Sequence, residues 1–319
     1  MSKKPLTRDE QFLAKAAGDD VPMPKPLTRV QEFLERIVER LSGSVTDETL
    51  SNAIAPLNAS IAQLSRKTIQ FRHGKGTFTA TATGTNVVWQ YGGQKAQGSN
   101  CTFDVKSDNG LICMDFDSIT ALSIINDTTN KMNLSDLGGK ITSTLRLGGC
   151  TNITGDLSDL GGKIASVLSL DNCSKITGDL SDLGGKITNW LSLNGCSKIT
   201  GDLSDLDGKI ANWLNFGNCT NITGDLSDLG GKIASMLNLN GCSSITGVYS
   251  GTKYPKTFAV SKTAITSADM DANLINFAAS GVKSGTLTAT GMKRTAASDN
   301  AVATLVANGW TVSGLTKEG

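Results

Sequence analysis

Between residues 133 and 247 the chain repeats itself five times with a period of 23 residues, and this period restricts the fold more than any other feature. One unit reads Gly178-Asp-Leu-Ser-Asp-Leu-Gly-Gly-Lys-Ile-Thr-Asn-Trp-Leu-Ser-Leu-Asn-Gly-Cys-Ser-Lys-Ile-Thr200. Apolar residues line up in rows. Leu134, Leu157, Leu180, Leu203 and Leu226 form one row, and Leu137, Leu160, Leu183, Leu206 and Leu229 the next. Leu147, Leu170, Leu193, Phe216 and Leu239 form a third. Cys150, Cys173, Cys196, Cys219 and Cys242, then Ile153, Ile176, Ile199, Ile222 and Ile245, complete the set. A unit this short cannot enclose a core alone, so neighbours must stack and share one. The alternation Leu191-Ser-Leu193 predicts a short strand with both leucines turned inward. Roughly seven inward side chains per unit, each worth about 1.5–3 kcal/mol on burial, drive the stacking. Gly139, Gly162, Gly185, Gly208 and Gly231 never vary while the residue before them tolerates Asp207, which predicts positive φ at the second glycine. Leu122 and Ile124 lie one period before Leu145 and Leu147, with Asp127 in the cysteine position, so a degenerate unit begins the stack.

Leu191-Ser-Leu193-Asn-Gly-Cys196-Ser-Lys-Ile199-Thr-Gly201 resembles the LxLxxN/CxL core of the leucine-rich repeat family. The following Gly-Asp-Leu-Ser-Asp-Leu-Gly-Gly is similar to the turn-back segment of its LxGxIPxxLG variety. Two departures stand out: Cys-x-x-Ile is one residue longer than the simplest form, and the proline is absent. The resemblance covers about a third of the chain. It implies a mixed fold, a leucine-rich-repeat-type β-solenoid over 119–247 with N-terminal helices, a small β region and a C-terminal α/β cap. It also implies a concave sheet that displays a binding surface.

In the family pattern the residues flanking the two inward leucines point outward. Here those columns hold Thr144, Val167, Trp190, Trp213 and Met236, then Ser143, Ser166, Asn189, Asn212 and Ser235, then Arg146, Ser169, Ser192, Asn215 and Asn238. Trp190 and Trp213 should be stacked neighbours about 4.8 Å apart. Aromatic faces bordered by amides suit carbohydrate, because apolar sugar faces stack while hydroxyls are hydrogen-bonded. Trp190, Trp213, Met236, Asn189, Asn212, Asn215, Asn238 and Arg146 are therefore the candidate ligand residues. Alternatively, the tryptophan pair covers the sheet or meets another subunit. The rows Asp136, Asp159, Asp182, Asp205, Asp228 and Lys140, Lys163, Lys186, Lys209, Lys232 fit a calcium ladder. They fit better with mutual neutralisation and turn hydrogen bonding by aspartate, and no metal site is assigned. The once-per-repeat cysteines, with no CxxC and one histidine, argue against disulfides and zinc and for small buried hydrophobes. No nucleophile elbow, P-loop or HExxH occurs, so neither an enzyme nor a cofactor is expected.

Outside the repeats, Lys4-Pro-Leu-Thr-Arg-Asp-Glu-Gln-Phe-Leu13 recurs as Lys25-Pro-Leu-Thr-Arg-Val-Gln-Glu-Phe-Leu34. Thr7 with Glu10, and Thr28 with Gln31, are capping-box pairs that begin short helices. Leu6, Phe12, Leu13, Leu27, Phe33 and Leu34 then offer apolar knobs for docking, which makes residues 1–45 tandem anchor peptides. Over 46–67, Leu50, Ile54, Leu57, Ile61 and Leu64 form a short heptad seam that suits an oligomerising helix. Pro56 interrupts it, and a single helix packed on its own domain fits equally well. Residues 68–118 alternate at period two around Thr77–Thr83, Asn86–Tyr91 and Cys101–Val105 and read as a small β collar. His73 reads as a solvated loop residue. Residues 248–319 read as a looser continuation and cap, with helices over 267–279 and 298–308 and strands near Phe258, Thr286 and Trp310.

The formal charge is +1 with no basic cluster, so nothing points to nucleic acid. No run is long and apolar enough for a membrane span. The start Met1-Ser-Lys-Lys-Pro carries no signal peptide, so synthesis in the host cytoplasm is expected. Anchor, helix, collar and repeat domain in that order resemble a bacteriophage fibre or head-fibre protein. The duplicated anchor is similar to the start of structural proteins in phages of gut bacteria. Arg294-Thr-Ala-Ala-Ser-Asp-Asn-Ala-Val-Ala-Thr-Leu with Gly309-Trp-Thr-Val312 resembles the ends of repeat proteins from gut Bacteroidetes and their phages. These resemblances imply a virion structural protein that is held to capsid or tail proteins through residues 1–45. It would assemble as a homodimer or homotrimer and bind host-surface or mucosal glycan or protein. A capsid decoration protein without ligand and a bacterial leucine-rich-repeat adhesin are the alternatives. The heptad seam predicts that the full chain elutes as a dimer or trimer by light scattering and that Leu57→Asp with Ile61→Asp makes it monomeric; a monomeric parent chain refutes the seam.

Overall fold

A computed structural model describes Ala55 and residues 66–318. The anchor residues Leu6 to Leu34 and the heptad residues Leu50, Ile54, Leu57, Ile61 and Leu64 lie outside the described residues. From Lys67 onward the chain forms one compact unit.

The first part is antiparallel: β1 (Lys67–His73), β2 (Gly76–Thr85), β3 (Val88–Tyr91), β4 (Gln94–Gln97), β5 (Asn100–Val105), β6 (Gly110–Phe116) and β7 (Ser118–Ser123). Apolar residues alternate with polar ones along each strand, so each strand buries one face. β1, β6, β3 and β4 make a four-stranded sheet. Its inner side chains meet those of β2, with Phe71 5.8 Å and Trp89 6.2 Å from Phe78 between ring centroids.

In the repeats each unit places a three-residue strand on one side. These strands are β8 (Thr144–Arg146), β9 (Val167–Ser169), β11 (Trp190–Ser192), β13 (Trp213–Asn215) and β15 (Met236–Asn238). Every one pairs in parallel with its own counterpart a period away, Leu191 opposite Leu168 and Leu214. A second ladder, β10 (Gly178–Asp179), β12 (Ile199–Asp202), β14 (Ile222–Asp225) and β16 (Ser244–Thr246), forms a small parallel sheet of its own. Between the ladders lie the shared rows: Leu180, Leu191, Leu193, Cys196 and Ile199 are fully buried, and Leu183 and Ile187 nearly so.

The turn-back segment Leu-Ser-Asp-Leu is a short α-turn (α1, Leu134–Leu137) in the first unit and a 3-10 turn in the next four. A capping box holds each one. Asp179 accepts from Ser181 N–H at 3.1 Å, and Asp182 accepts from the Asp179 N–H at 2.9 Å. The Asp136, Asp159, Asp182, Asp205, Asp228 row is thus consumed by backbone donors. Neutralisation by the lysine row does not occur: among the described residues Lys209 is the only one of its row in an ion pair, with Asp207. Each turn ends in two consecutive left-handed residues. The second is always glycine, at φ between +53° and +59°, but the first is left-handed as well, and Asp207 adopts φ +53° there.

Two further ladders lock one unit to the next. Each cysteine donates its S–H to a carbonyl oxygen, Cys196 to Leu170 O and Cys219 to Leu193 O, both at 3.0 Å. Burial pushes these thiols up, Cys150 and Cys242 to about 11, so they stay protonated donors; all seven cysteines are free. On the far side Thr200 and Thr223 each donate to the cap aspartate 21 residues earlier, Asp179 and Asp202, at 2.8 Å, where the chain has come round one coil.

The C-terminal segment adds β17 (Thr257–Ala259), α2 (Ser267–Ala279), β18 (Thr286–Arg294), α3 (Asp299–Ala307) and β19 (Thr311–Lys317). Phe277 of α2 packs against Phe258 and Trp310, with ring centroids at 4.6 and 5.6 Å. The buried Asp271 ties α2 to the start of α3 by accepting from Thr295 N–H (3.0 Å) and from the hydroxyls of Thr295 (2.6 Å) and Ser298 (2.5 Å).

The expectation of a mixed fold, in which a leucine-rich-repeat-type β-solenoid is flanked by a separate β collar and a separate α/β cap, is overturned. The chain is mostly β, and among the described residues three helices occur. β2, β5 and β7 from the expected collar and β17, β18 and β19 from the expected cap join the repeat strands in a single mixed sheet of eleven, ordered β19-β18-β17-β15-β13-β11-β9-β8-β7-β2-β5. The physical reason is the unpaired edge that a stack of parallel strands would otherwise expose. β7 closes it, pairing in parallel with β8 and antiparallel with β2. His73 is also corrected. It ends β1, is fully buried, and its Nε2 lies 2.9 Å from the Asp127 carboxylate, which carries the link from the antiparallel strands to the first repeat.

The cap aspartates Asp156, Asp179 and Asp202 are held below the usual carboxylate value, first by donors on Ser158, Ser181 and Ser204, then by Thr177, Thr200 and Thr223. The unfolded chain, with Asp at about 3.9, therefore takes up protons first as pH falls. Their stabilisation is present above about pH 4 and is lost as pH drops through the lower folded values. Asparagine caps equally well at Asn133. The triple variant Asp156→Asn, Asp179→Asn, Asp202→Asn should thus lose less of its urea midpoint between pH 5 and pH 2.5 than the parent; equal losses would exclude the caps as the source.

Candidate functional site

The outward side of β8, β9, β11, β13 and β15 is where the repeats differ from one another, and the pairing dictates how those differences are arranged. In-register parallel strands set like residues beside like residues one strand spacing apart, about 4.8 Å. Trp190 lies opposite Trp213, and Trp213 opposite Met236. The two indoles stack with ring centroids 4.3 Å apart and planes within 9°. Arg146 enters from β8, reaches across β9 and lays its guanidinium over the Trp190 ring, 5.3 Å from the centroid. Val167, lying between them, is 6% exposed. Arg146, Trp190 and Trp213 thus form a continuous stack, with Met236 next in register.

This geometry differs from an open sugar-stacking platform. One face of each indole is turned to the other, and the second face of Trp190 is covered by Arg146. What remains outward are indole edges and flanking polar groups. Neither indole N–H has a hydrogen-bond partner, although both nitrogens are shielded from solvent. Such orphaned donors cost about 1–3 kcal/mol each.

The flanking columns hydrogen-bond among themselves. The Asn215 side-chain oxygen accepts from Asn238 Nδ2 at 2.9 Å and from Gly217 N–H at 3.3 Å. Asn238 Oδ1 accepts from Asn240 N–H at 3.1 Å, and Asn212 Oδ1 accepts from the Ser235 hydroxyl. Asp171, at the end of β9, accepts from the hydroxyls of Ser169 (2.8 Å) and Ser192 and from Asn194 N–H (3.3 Å). Its role as organiser of the serine columns was not anticipated from the sequence; the only signal was an acid in a column otherwise filled by glycine and asparagine. Ser192, expected outward, is covered and 1% exposed for the same reason. Asn189 remains exposed.

Of the expected ligand residues, Trp190, Trp213 and Met236 follow one another in one row that Arg146 reaches from the next column, with Asn212, Asn215 and Asn238 beside them and Asn189 at the strand's start. Among the described residues no group of three or more His, Cys, Asp or Glu side chains is arranged to hold a metal ion, and no helix is long and apolar enough to cross a membrane.

No family model, no curated protein and no solved structure matches this chain.

The stacked pair predicts an exciton couplet in the far-ultraviolet circular dichroism that Trp213→Leu abolishes while Trp89 and Trp310, buried elsewhere, keep their signals. Arg146→Ala should lower stability by about 0.5–1 kcal/mol, the usual worth of an exposed cation–π contact, read by urea unfolding.

Proposed function

We propose that this chain is a structural fibre protein of a phage virion, anchored to capsid or tail proteins through residues 1–45, with the outward face of the parallel strands binding host-surface or mucosal glycan. The observation that carries the reading is the distribution of variation within the repeat. Residues that cap, stack or fill the core are nearly invariant between units, while the outward columns change to Arg146, Trp190, Trp213 and Met236. Large apolar side chains on a sheet's solvent side add nothing to its core, and aromatic and arginine residues are the types that dominate recognition surfaces. The order of the anchor, the heptad segment and the repeat domain supports the virion setting.

A capsid decoration protein without ligand is the second reading, favoured by the self-stacking of the two indoles, which consumes the faces a sugar would use. A glycan array separates the two. The proposed function requires binding by the parent chain and loss of at least about tenfold in affinity, roughly 1.4 kcal/mol, in Trp190→Ala with Trp213→Ala. Deleting residues 1–45 should leave array binding unchanged and abolish incorporation into particles. A parent chain that binds no array glycan supports the decoration reading instead.

A further inference from the structure

We propose that the outward row recognises an acidic polysaccharide, a chain of sugars bearing carboxylates, with Arg146 as the residue that selects the acid. This rests on the glycan reading above and specifies its chemistry. Acid selection rests on the charge and the unused groups of this face. The side-chain oxygens of Asn212, Asn215 and Asn238 and both oxygens of Asp171 accept from neighbouring protein groups. The two indole N–H groups lack acceptors but are shielded from solvent. Asn215 Nδ2 and the Arg146 guanidinium also have no acceptor among the described residues, the guanidinium's contact being the Trp190 ring.

The unengaged donors of Arg146 and Asn215 fit a ligand rich in acceptor oxygens, and charge sharpens the choice. The charged side chains in the outward columns of β8 to β15 are Arg146 and Asp171, and Asp171 is satisfied by two hydroxyls and a backbone N–H. Arg146 is left as a cation without a carboxylate partner, resting over the Trp190 ring, and a guanidinium suits a two-point contact with a carboxylate. Neighbouring strands lie about 4.8 Å apart, a spacing comparable to the length of a pyranose unit. A polymer running across the strands places one sugar per repeat, with a carboxylate over Arg146 and ring or hydroxyl oxygens over the indole edges and Asn215.

The test uses the full chain and four probes: polygalacturonate, its fully methyl-esterified neutral form, polysialate and polyglutamate. Binding is read by calorimetry and by quenching of tryptophan fluorescence. The proposal expects at least one acidic polysaccharide to bind about tenfold or more tighter than the esterified polymer. It also expects Arg146→Gln to erase that difference, and Arg146→Lys, which keeps the charge but not the fork, to restore it only in part. Equal binding of the esterified polymer, or an unchanged preference in Arg146→Gln, overturns the acid selection while leaving glycan binding intact. Polyglutamate binding as tightly as the polysaccharides overturns it in favour of an acidic peptide. Failure of both acidic polysaccharides also overturns it, and the array then distinguishes a neutral-glycan surface from one that binds no glycan at all.

Discussion

Every row of the repeat meets its own copy one period away, and that in-register parallel contact is the constraint from which the rest of the structure follows. A residue chosen for the core is buried against the same residue above and below, so Leu, Ile and Cys recur with little change. A polar group at a given position finds the same partner geometry in each unit, which is why one capping box and one threonine-to-aspartate bond serve the whole stack. Cysteine suits its row because it is small, apolar enough to bury, and able to donate to a carbonyl of the unit before.

The same contact sets local sequence. At the left-handed position before each cysteine, or before Asp127 in the first unit, asparagine and glycine alternate: Asn126, Gly149, Asn172, Gly195, Asn218, Gly241. A Cβ at Gly149, Gly195 or Gly241 would come within 2.4 to 3.0 Å of the asparagine oxygen of the unit before. Identical large residues in every unit would collide there, so neighbouring units take turns. On the outward face, where there is room, like residues in adjacent units stack instead, as Trp190 and Trp213 do. Stacking spends their faces and leaves their edges outward.

A stack of parallel strands leaves an unpaired edge at each end, and the chain resolves this by continuity. The antiparallel strands at one end and the strands interleaved with helices at the other extend the central sheet to eleven strands. The buried His73 to Asp127 contact reinforces the first junction, with the acid taking the position that cysteine holds in every later unit.

The period, the inward rows, the three-residue strands, the glycine requirement and the two C-terminal helices were legible in the sequence, because each depends on residues close together or repeated at a fixed interval. The adjacency of Trp190 and Trp213 was legible for the same reason. What only the tertiary structure decided depends on pairings between residues far apart or on orientation. Whether the flanking segments form separate modules or share the central sheet depends on which edge donors meet, as β7 meets β8 and β2. The burial of His73 depends on an acid 54 residues away. The direction of the indole planes and the reach of Arg146 over Trp190 follow from side-chain orientation, which periodicity does not encode.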